Sequence, residues 1–269
     1  MKKKWKKHWV CSIIFYVNER SVNIMLRFIV LALRSMFFTI KELWRCNYMM
    51  KHPEKYDELA KYRQIQKIIK RFQRNSNTVT DVYGLHNLPQ KENYVLYANH
   101  QGRYDGVGIV ASHDRPLTII IDAKRKNQVV VKQMLPMVEG HPIDLNDPRQ
   151  QMKTLKLVTE DLKNGKIHLI FPEGQYGDNK NNLQEFKSGV FKCAMDAKVT
   201  IVPVALIDSY KGMDGNSLRK ERTQVHYLKP IPYEEYEGLK KTEVAELVKS
   251  RIQEAININV GALDGKIYD

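Results

Sequence analysis

Short apolar runs recur along this chain at Tyr94 to Ala98, Leu117 to Ile121, Lys166 to Phe171, Thr200 to Leu206 and Thr223 to Leu228. Runs of this length suit strands, because a helix with the same burial would need at least ten residues. Between them lie helical patterns near Gly106 to Ser112 and Asp147 to Asn164. The alternation predicts an α/β fold, a single domain with a central, mostly β-sheet core flanked by helices. The second helix is well punctuated, with Asp147 as cap, Pro148 in its first turn and Gly165 past its end. Leu239 to Ile256 closes the chain as an amphipathic helix, its stripe of Val244, Leu247, Val248, Ile252 and Ile256 turned to the core. Residues 76–269 are long enough to bury a substantial interior.

Charge divides the chain differently. Residues 1–74 hold 18 Lys and Arg against 5 Asp and Glu, and the remainder holds 26 against 25, so nearly all of the net +14 is N-terminal. Arg20, Arg27, Arg34 and Lys41 recur every seven residues, a cationic stripe that drifts little around a helix. Apolar residues surround it, from Met25 to Ile40. Such a helix suits a lipid interface, lying in plane or shallowly embedded because Arg27 and Arg34 interrupt the uncharged run a span needs, with a tilted span as the alternative. After Pro53, Leu59, Tyr62, Ile65, Ile69 and Phe72 repeat at helical spacing among Lys and Arg. Residues 1–75 therefore read as a basic, membrane-associating helical hairpin whose partner is an anionic membrane surface. Lys2 to Lys7 and the run Trp9 to Val17 mimic a signal peptide, but no small-x-small cleavage site follows, so the segment reads as a retained anchor; a start at Met25 also leaves a sensible chain. Nucleic acid is disfavoured as a partner, since the charge is confined to an apolar segment and the α/β part is nearly neutral.

The candidate chemistry sits at strand ends. Directly after Tyr94 to Ala98 comes Asn99-His100-Gln101-Gly102-Arg103-Tyr104-Asp105. A histidine can take a proton at neutral pH, and a nearby carboxylate fixes its tautomer and stabilises the imidazolium. The same spacing at His52 and Asp57 lies in a charged stretch with no strand leading into it, and reads as a solvated helix start. A second strand ends in Phe171-Pro172-Glu173-Gly174, so two strand ends with polar groups point to one shared crevice. Cys11, Cys46 and Cys193 form neither a disulfide framework nor a metal spacing, and His113, His141, His168 and His226 show no ligand spacing, so neither a metal nor a bound cofactor is expected.

Taken together these blocks resemble the glycerolipid acyltransferases typified by 1-acylglycerol-3-phosphate acyltransferase. Four stretches fall in family order: Asn99 to Asp105, preceded by Gly84, Asn87 and Pro89; Ala123-Lys124, followed by Gly140-His141-Pro142-Ile143-Asp144; Phe171 to Gly174; and Ile201 to Val204. The resemblance covers roughly residues 80–230. It implies His100 and Asp105 as catalytic residues, and Lys124, Arg103, Glu173 and Gly174 as substrate-binding residues. The family usually has Thr-Arg after Glu-Gly and Arg after Ile-Asp, where this chain has Gln175-Tyr176 and Leu145. Those arginines usually hold the substrate phosphate, which Gln, Tyr and Leu cannot grip in the same way.

The resemblance further implies transfer of a fatty acyl group from acyl-acyl carrier protein or acyl-CoA to the free hydroxyl of a lysophospholipid, 1-acylglycerol 3-phosphate first among them, at the cytoplasmic face of a membrane. In that reaction His100 deprotonates the hydroxyl as it attacks the thioester, Asp105 orients His100, and backbone donors near Gly174 receive the phosphate or oxyanion. The alternatives are another lysophospholipid or glycerol 3-phosphate as acceptor, hydrolysis of the thioester, and a non-enzymatic basic membrane-binding protein.

Overall fold

The structure, a computed structural model, describes residues 26–213 and 218–261. Its elements in chain order are α1 (Leu26–Lys51), α2 (Glu58–Asn75), β1 (Thr78–Tyr83), β2 (Tyr94–Ala98), α3 (Asp105–Ser112), β3 (Thr118–Asp122), α4 (Val129–Met134), β4 (His141–Ile143), α5 (Pro148–Lys163), β5 (His168–Ile170), α6 (Lys192–Ala197), β6 (Thr200–Ile207), β7 (Glu221–Tyr227), α7 (Tyr233–Tyr236) and α8 (Lys241–Asn259). The seven strands form one sheet in the order β1-β7-β6-β2-β5-β3-β4. β6 and β7 are antiparallel and every other neighbouring pair is parallel. The carboxyl ends of β6, β2, β5 and β3 therefore lie along one edge of the sheet, in that order, which is where open α/β sheets present their sites.

β2 explains why the sheet is buried on both sides. Its side chains alternate between faces. Tyr94, Leu96 and Ala98 join the layer containing Tyr62, Ile65 and Ile68 of α2. Val95 and Tyr97 join the opposite layer with Val158 of α5, Phe191, and Val244, Val248 and Ile252 of α8. All five β2 residues are fully buried. The sequence pattern anticipates β2, β3, β5, β6, β7, α3, α5 and α8, with ends displaced by a few residues. As expected, Asp147 caps α5, its Oδ1 accepting from the amides of Arg149 (2.9 Å) and Gln150 (3.2 Å). β1 and β4 carried no comparable signal, because both are edge strands: β1 is mostly half-buried, and β4 is three residues long and contains Pro142.

The helix pair 58–75 and 26–51 packs onto this core in sequence. Tyr62 Oη donates to the His113 carbonyl (3.2 Å), and Gln66 Nε2 donates to the carbonyls of Val110 (3.0 Å) and His113 (2.8 Å). These bonds fasten α2 to the end of α3. His113 itself is fully buried between the Tyr94 hydroxyl and the Arg115 carbonyl, both at 2.7 Å, and burial pushes its pKa down to about 4. α1 then lies on α2, where the buried Glu42 accepts from Gln64 Nε2 and Lys67 Nζ, both at 2.8 Å.

This arrangement corrects how the two helices divide their apolar residues. Tyr62 and Ile65 of α2 are buried, and Ile69 and Phe72 pack against the core, so most of that stripe faces the sheet. The outward apolar surface belongs to α1: Leu33, Phe37, Ile40, Trp44 and Tyr48, spaced three and four apart, form one exposed line, with Phe37 81% and Trp44 74% accessible. Arg34, Lys41 and Arg45, all exposed, flank it. Leu31, Ser35, Glu42, Cys46 and Met49 occupy the buried side. No helix among the described residues is long and apolar enough to cross a membrane. Lys2 to Lys7, Trp9 to Val17, Cys11, Arg20 and Met25 lie outside the described residues, as does the Arg27 side chain.

Candidate active site

His100 leaves the end of β2 two residues past the last buried strand position, and Asp105 is the first residue of α3. The tight turn between them folds the carboxylate back onto the ring, so that His100 Nδ1 and Asp105 Oδ2 are 2.5 Å apart. With Nδ1 committed as donor, Nε2 is the ring nitrogen left to accept a proton. Phe171, at the end of β5, stacks on the imidazole with ring centres 4.3 Å apart and planes at 21°. Tyr176 meets the same ring edge-on at 4.6 Å.

Asp105 is only 1% exposed, and its burial as a charged group is offset by several donors. Oδ2 also accepts from the amides of Gln101 (2.6 Å) and Gly102 (2.9 Å), and Oδ1 accepts from the Ser209 hydroxyl. Ser209 comes from the turn after β6, beside β2 in the sheet. The same two strand exits are stitched by Asn99, whose side chain donates to the Leu206 carbonyl (3.0 Å) and accepts from its amide (2.7 Å). Gln101 donates to the Leu206 carbonyl (2.8 Å) and accepts from the Ser209 amide (2.8 Å). Asn99, Gln101 and Ser209 are all buried. Ser209 was not singled out in the sequence, although it follows the longest apolar run in the α/β part, the same strand-end signal that marks His100 and Glu173.

Glu173 and Gly174 occupy the next exit, after β5. Glu173 is 3% exposed; Oε1 accepts from the His100 amide (3.0 Å) and Oε2 from Gln184 Nε2 (2.6 Å). Burial raises its pKa, opposed by those two bonds. Both oxygens are thus engaged within the protein, holding the backbone of His100. Gly174 has φ +77°, and a Cβ there would sit 2.8 Å from Lys187 Nζ. Its amide already donates to the Phe171 carbonyl (3.0 Å), so this expected oxyanion or phosphate donor is occupied. Lys124 lies in the turn after β3, exposed, its amide bound to Asp122 Oδ1 (2.9 Å). Arg103 is exposed within the turn between His100 and Asp105. Gly84, at φ +72°, approaches the Tyr227 carbonyl so closely that a Cβ would lie 2.0 Å from it, and Asn87 Nδ2 donates to the same carbonyl (2.8 Å); both join β1 to β7.

Folding also assembles a group that spacing hid. His141 Nε2 and His168 Nε2 contact Asp161 Oδ2 at 2.7 and 3.0 Å, and Lys166 Nζ contacts Oδ1 at 3.0 Å. The three metal-ligand-type residues lie close together, within 4.8 Å. A metal on His168 Nε2 would place the proton on Nδ1, which is buried without an acceptor. The group is better described as a carboxylate satisfied by three donors, which together pull Asp161 far below the usual carboxylate range against the opposing effect of burial. Cys193 is a packed thiol, 1% exposed, with burial pushing its pKa up to about 11.

Residues 79–207, which contain the histidine, its carboxylate and the strand exits that hold them, match the family model described as Acyltransferase. Over these residues the chain is similar to acyltransferases. Among its relatives, the chloroplastic 1-acyl-sn-glycerol-3-phosphate acyltransferase of Brassica napus is 29% identical over 183 residues, covering 66% of this chain and 51% of the relative. The 1-acyl-sn-glycerol-3-phosphate acyltransferase alpha of Ovis aries is 30% identical over 176 residues, covering 62% and 58%. The matches thus span only about half the length of several curated relatives. The crystal structure of the 1-acyl-sn-glycerophosphate (LPA) acyltransferase from Thermotoga maritima superimposes with a TM-score of 0.66 over 90% of this chain and 97% of that one, at 20% identity. At that identity the likeness establishes that the chain shares its fold.

Proposed function

We propose that the protein transfers a fatty acyl group from an acyl thioester to the free hydroxyl of 1-acylglycerol 3-phosphate, giving phosphatidic acid for phospholipid biosynthesis. The observation that carries this reading is the His100 and Asp105 pair, with Nδ1 pinned and Nε2 available at the carboxyl edge of the sheet. Nε2 takes the hydroxyl proton as the oxygen attacks the thioester carbonyl. The tetrahedral intermediate collapses with cleavage of the C–S bond, and the thiolate leaves with the proton returned by the imidazolium. Asp105 orients the ring through Nδ1 and stabilises its charged form. Because a thiolate leaves readily, general-base help and positioning suffice without a covalent acyl-enzyme. Glu173, through the His100 amide, and Ser209, through Asp105, act as positioning residues.

The acyl donor is acyl-acyl carrier protein or acyl-CoA. Residues 1–75 serve as the membrane-associating part and residues 76–269 as the catalytic part, with the enzyme held on an anionic cytoplasmic membrane face. The exposed line from Leu33 to Tyr48 with its flanking cations supports an in-plane contact, apolar side chains sunk and Arg34, Lys41 and Arg45 at the headgroups. The test supplies purified wild type and His100→Ala with each thioester and with lysolipids bearing or lacking a terminal phosphate. Phosphatidic acid formed by wild type and lost in the variant is the expected result. Thioester loss without an acceptor, or equal transfer by the variant, would overturn the assignment.

A further inference from the structure

The proposed acceptor carries a phosphate, yet position 176, beside the base, is a tyrosine. The geometry points to Arg125, held on Tyr176, as the residue that selects the acceptor's phosphate. The inference rests on the proposed reaction and adds a specificity-determining residue to it.

Arg125 reaches the site from a neighbouring strand exit. β3 lies next to β5 in the sheet and ends at Asp122, whose carboxylate caps the following turn by accepting from the Lys124 amide. That turn carries Arg125 towards the loop after β5. There its Nη2 donates to the Tyr176 hydroxyl at 3.2 Å, and its guanidinium carbon stands 5.5 Å from the centre of the Tyr176 ring. Tyr176 in turn packs edge-on against His100. The base, an aromatic ring and a guanidinium thus follow one another in direct contact. In a glycerol phosphate the phosphorus is joined through one oxygen to the carbon next to the reacting one, so an anion site is needed close to the base.

Two properties fit this element to a phosphomonoester. A guanidinium offers a planar fork of donors that can meet two phosphate oxygens together, and an aromatic face fixes its orientation before the substrate arrives. Arg125 is exposed rather than buried, so it can meet a substrate. Lys187 supplies a second cation to the same loop, its Nζ lying over Gly174 two residues before Tyr176. Since thioester donors also carry phosphates, the experiment must separate acceptor from donor.

Steady-state kinetics on Arg125→Ala, with acceptor and donor varied in turn, provide that separation. We expect KM for 1-acylglycerol 3-phosphate to rise by about ten- to a hundredfold, as for loss of a hydrogen-bonded charge. KM for the thioester should stay within about twofold, and the preference for this acceptor over 1-acylglycerol, which lacks the phosphate, should fall correspondingly. Arg125→Ala combined with Tyr176→Arg should recover part of that preference, whereas Lys126→Ala, from the same basic run, should behave as wild type. An unchanged acceptor KM, a change confined to the thioester, or an equal loss with 1-acylglycerol would overturn the assignment. Binding of glycerol 3-phosphate, followed by its phosphorus resonance, distinguishes the two readings. Binding by wild type but not by Arg125→Ala, with no acyl transfer by either, would keep the anion site and remove the reaction; equal binding by both would remove Arg125.

Discussion

Asp105→Asn isolates the electrostatic part of the mechanism from its geometry. The amides of Gln101 and Gly102 both point at the oxygen that faces His100, and an Asn NH2 group placed there would oppose two donors at 2.6 and 2.9 Å. The amide oxygen must therefore take that position. The NH2 then faces Ser209, whose hydroxyl can rotate from donor to acceptor. Nδ1 of His100 keeps its acceptor and Nε2 stays available, so the tautomer survives. What disappears is the negative charge beside the imidazolium that, in the proposed reaction, forms as the hydroxyl is deprotonated. Two unit charges about 4 Å apart interact by about 4 kcal/mol at an effective dielectric of about 20, which corresponds to roughly a thousandfold in rate. Thiol release from an acyl thioester in the presence of 1-acylglycerol 3-phosphate reads the rate, and far-UV circular dichroism with a melting curve establishes that the variant is folded. A folded Asp105→Asn protein within tenfold of wild-type kcat would refute the claim that Asp105 acts by its charge on the histidine.

Ser209→Ala removes one donor from a buried carboxylate, a bond of about 1.5 to 3 kcal/mol; kcat should fall about tenfold or more with acceptor KM little changed, and Ser209→Thr should restore more activity than Ala does. Replacing Phe37 and Trp44 together by Asp should weaken sedimentation with anionic vesicles by at least about tenfold while thioester turnover on a detergent-dispersed acceptor persists; unchanged vesicle binding would place the membrane contact elsewhere. His113 is buried neutral with its pKa lowered to about 4, so the unfolded chain binds a proton there, with a pKa of about 6.5, before the folded one does. The sign follows directly: its contribution is present above about 6.5 and is lost as the pH falls towards about 4, amounting to about 2 kcal/mol at pH 5. Urea midpoints measured between pH 7 and pH 5 should show this decline, and it should shrink in a folded variant with an uncharged residue at position 113.

Much of the candidate site was legible because each element of it follows a signal carried by adjacent residues. Tyr94 to Ala98 is uninterrupted and apolar, so a central strand was readable, and a histidine and carboxylate straight after it had to lie at a strand end. Glu173 was readable for the same reason. Its task was not, since the contacts that occupy both of its oxygens come from His100 and from Gln184, which only folding brings to it. The Gly174 amide is a parallel case, committed to a carbonyl three residues back. α2 shows the limit of periodicity, because an apolar stripe has the same spacing whether a sheet or a bilayer covers it. Edge strands escaped notice because half-buried or three-residue segments carry too little pattern.

By itself the sequence determined the alternation of strands and helices, the proximity of His100 to Asp105, and the concentration of charge in residues 1–74, all of which depend on neighbours in the chain. Tertiary structure decided what those neighbours meet. It set Ser209 against Asp105 across about a hundred positions, laid Arg125 on Tyr176 beside His100, drew His141 and His168 onto one carboxylate, and turned the aromatic line of α1 outward while that of α2 was buried. The physical reason is strand order: β6, β2, β5 and β3 are neighbours in space although not in sequence, and the side chains at their ends are brought together only when the sheet forms.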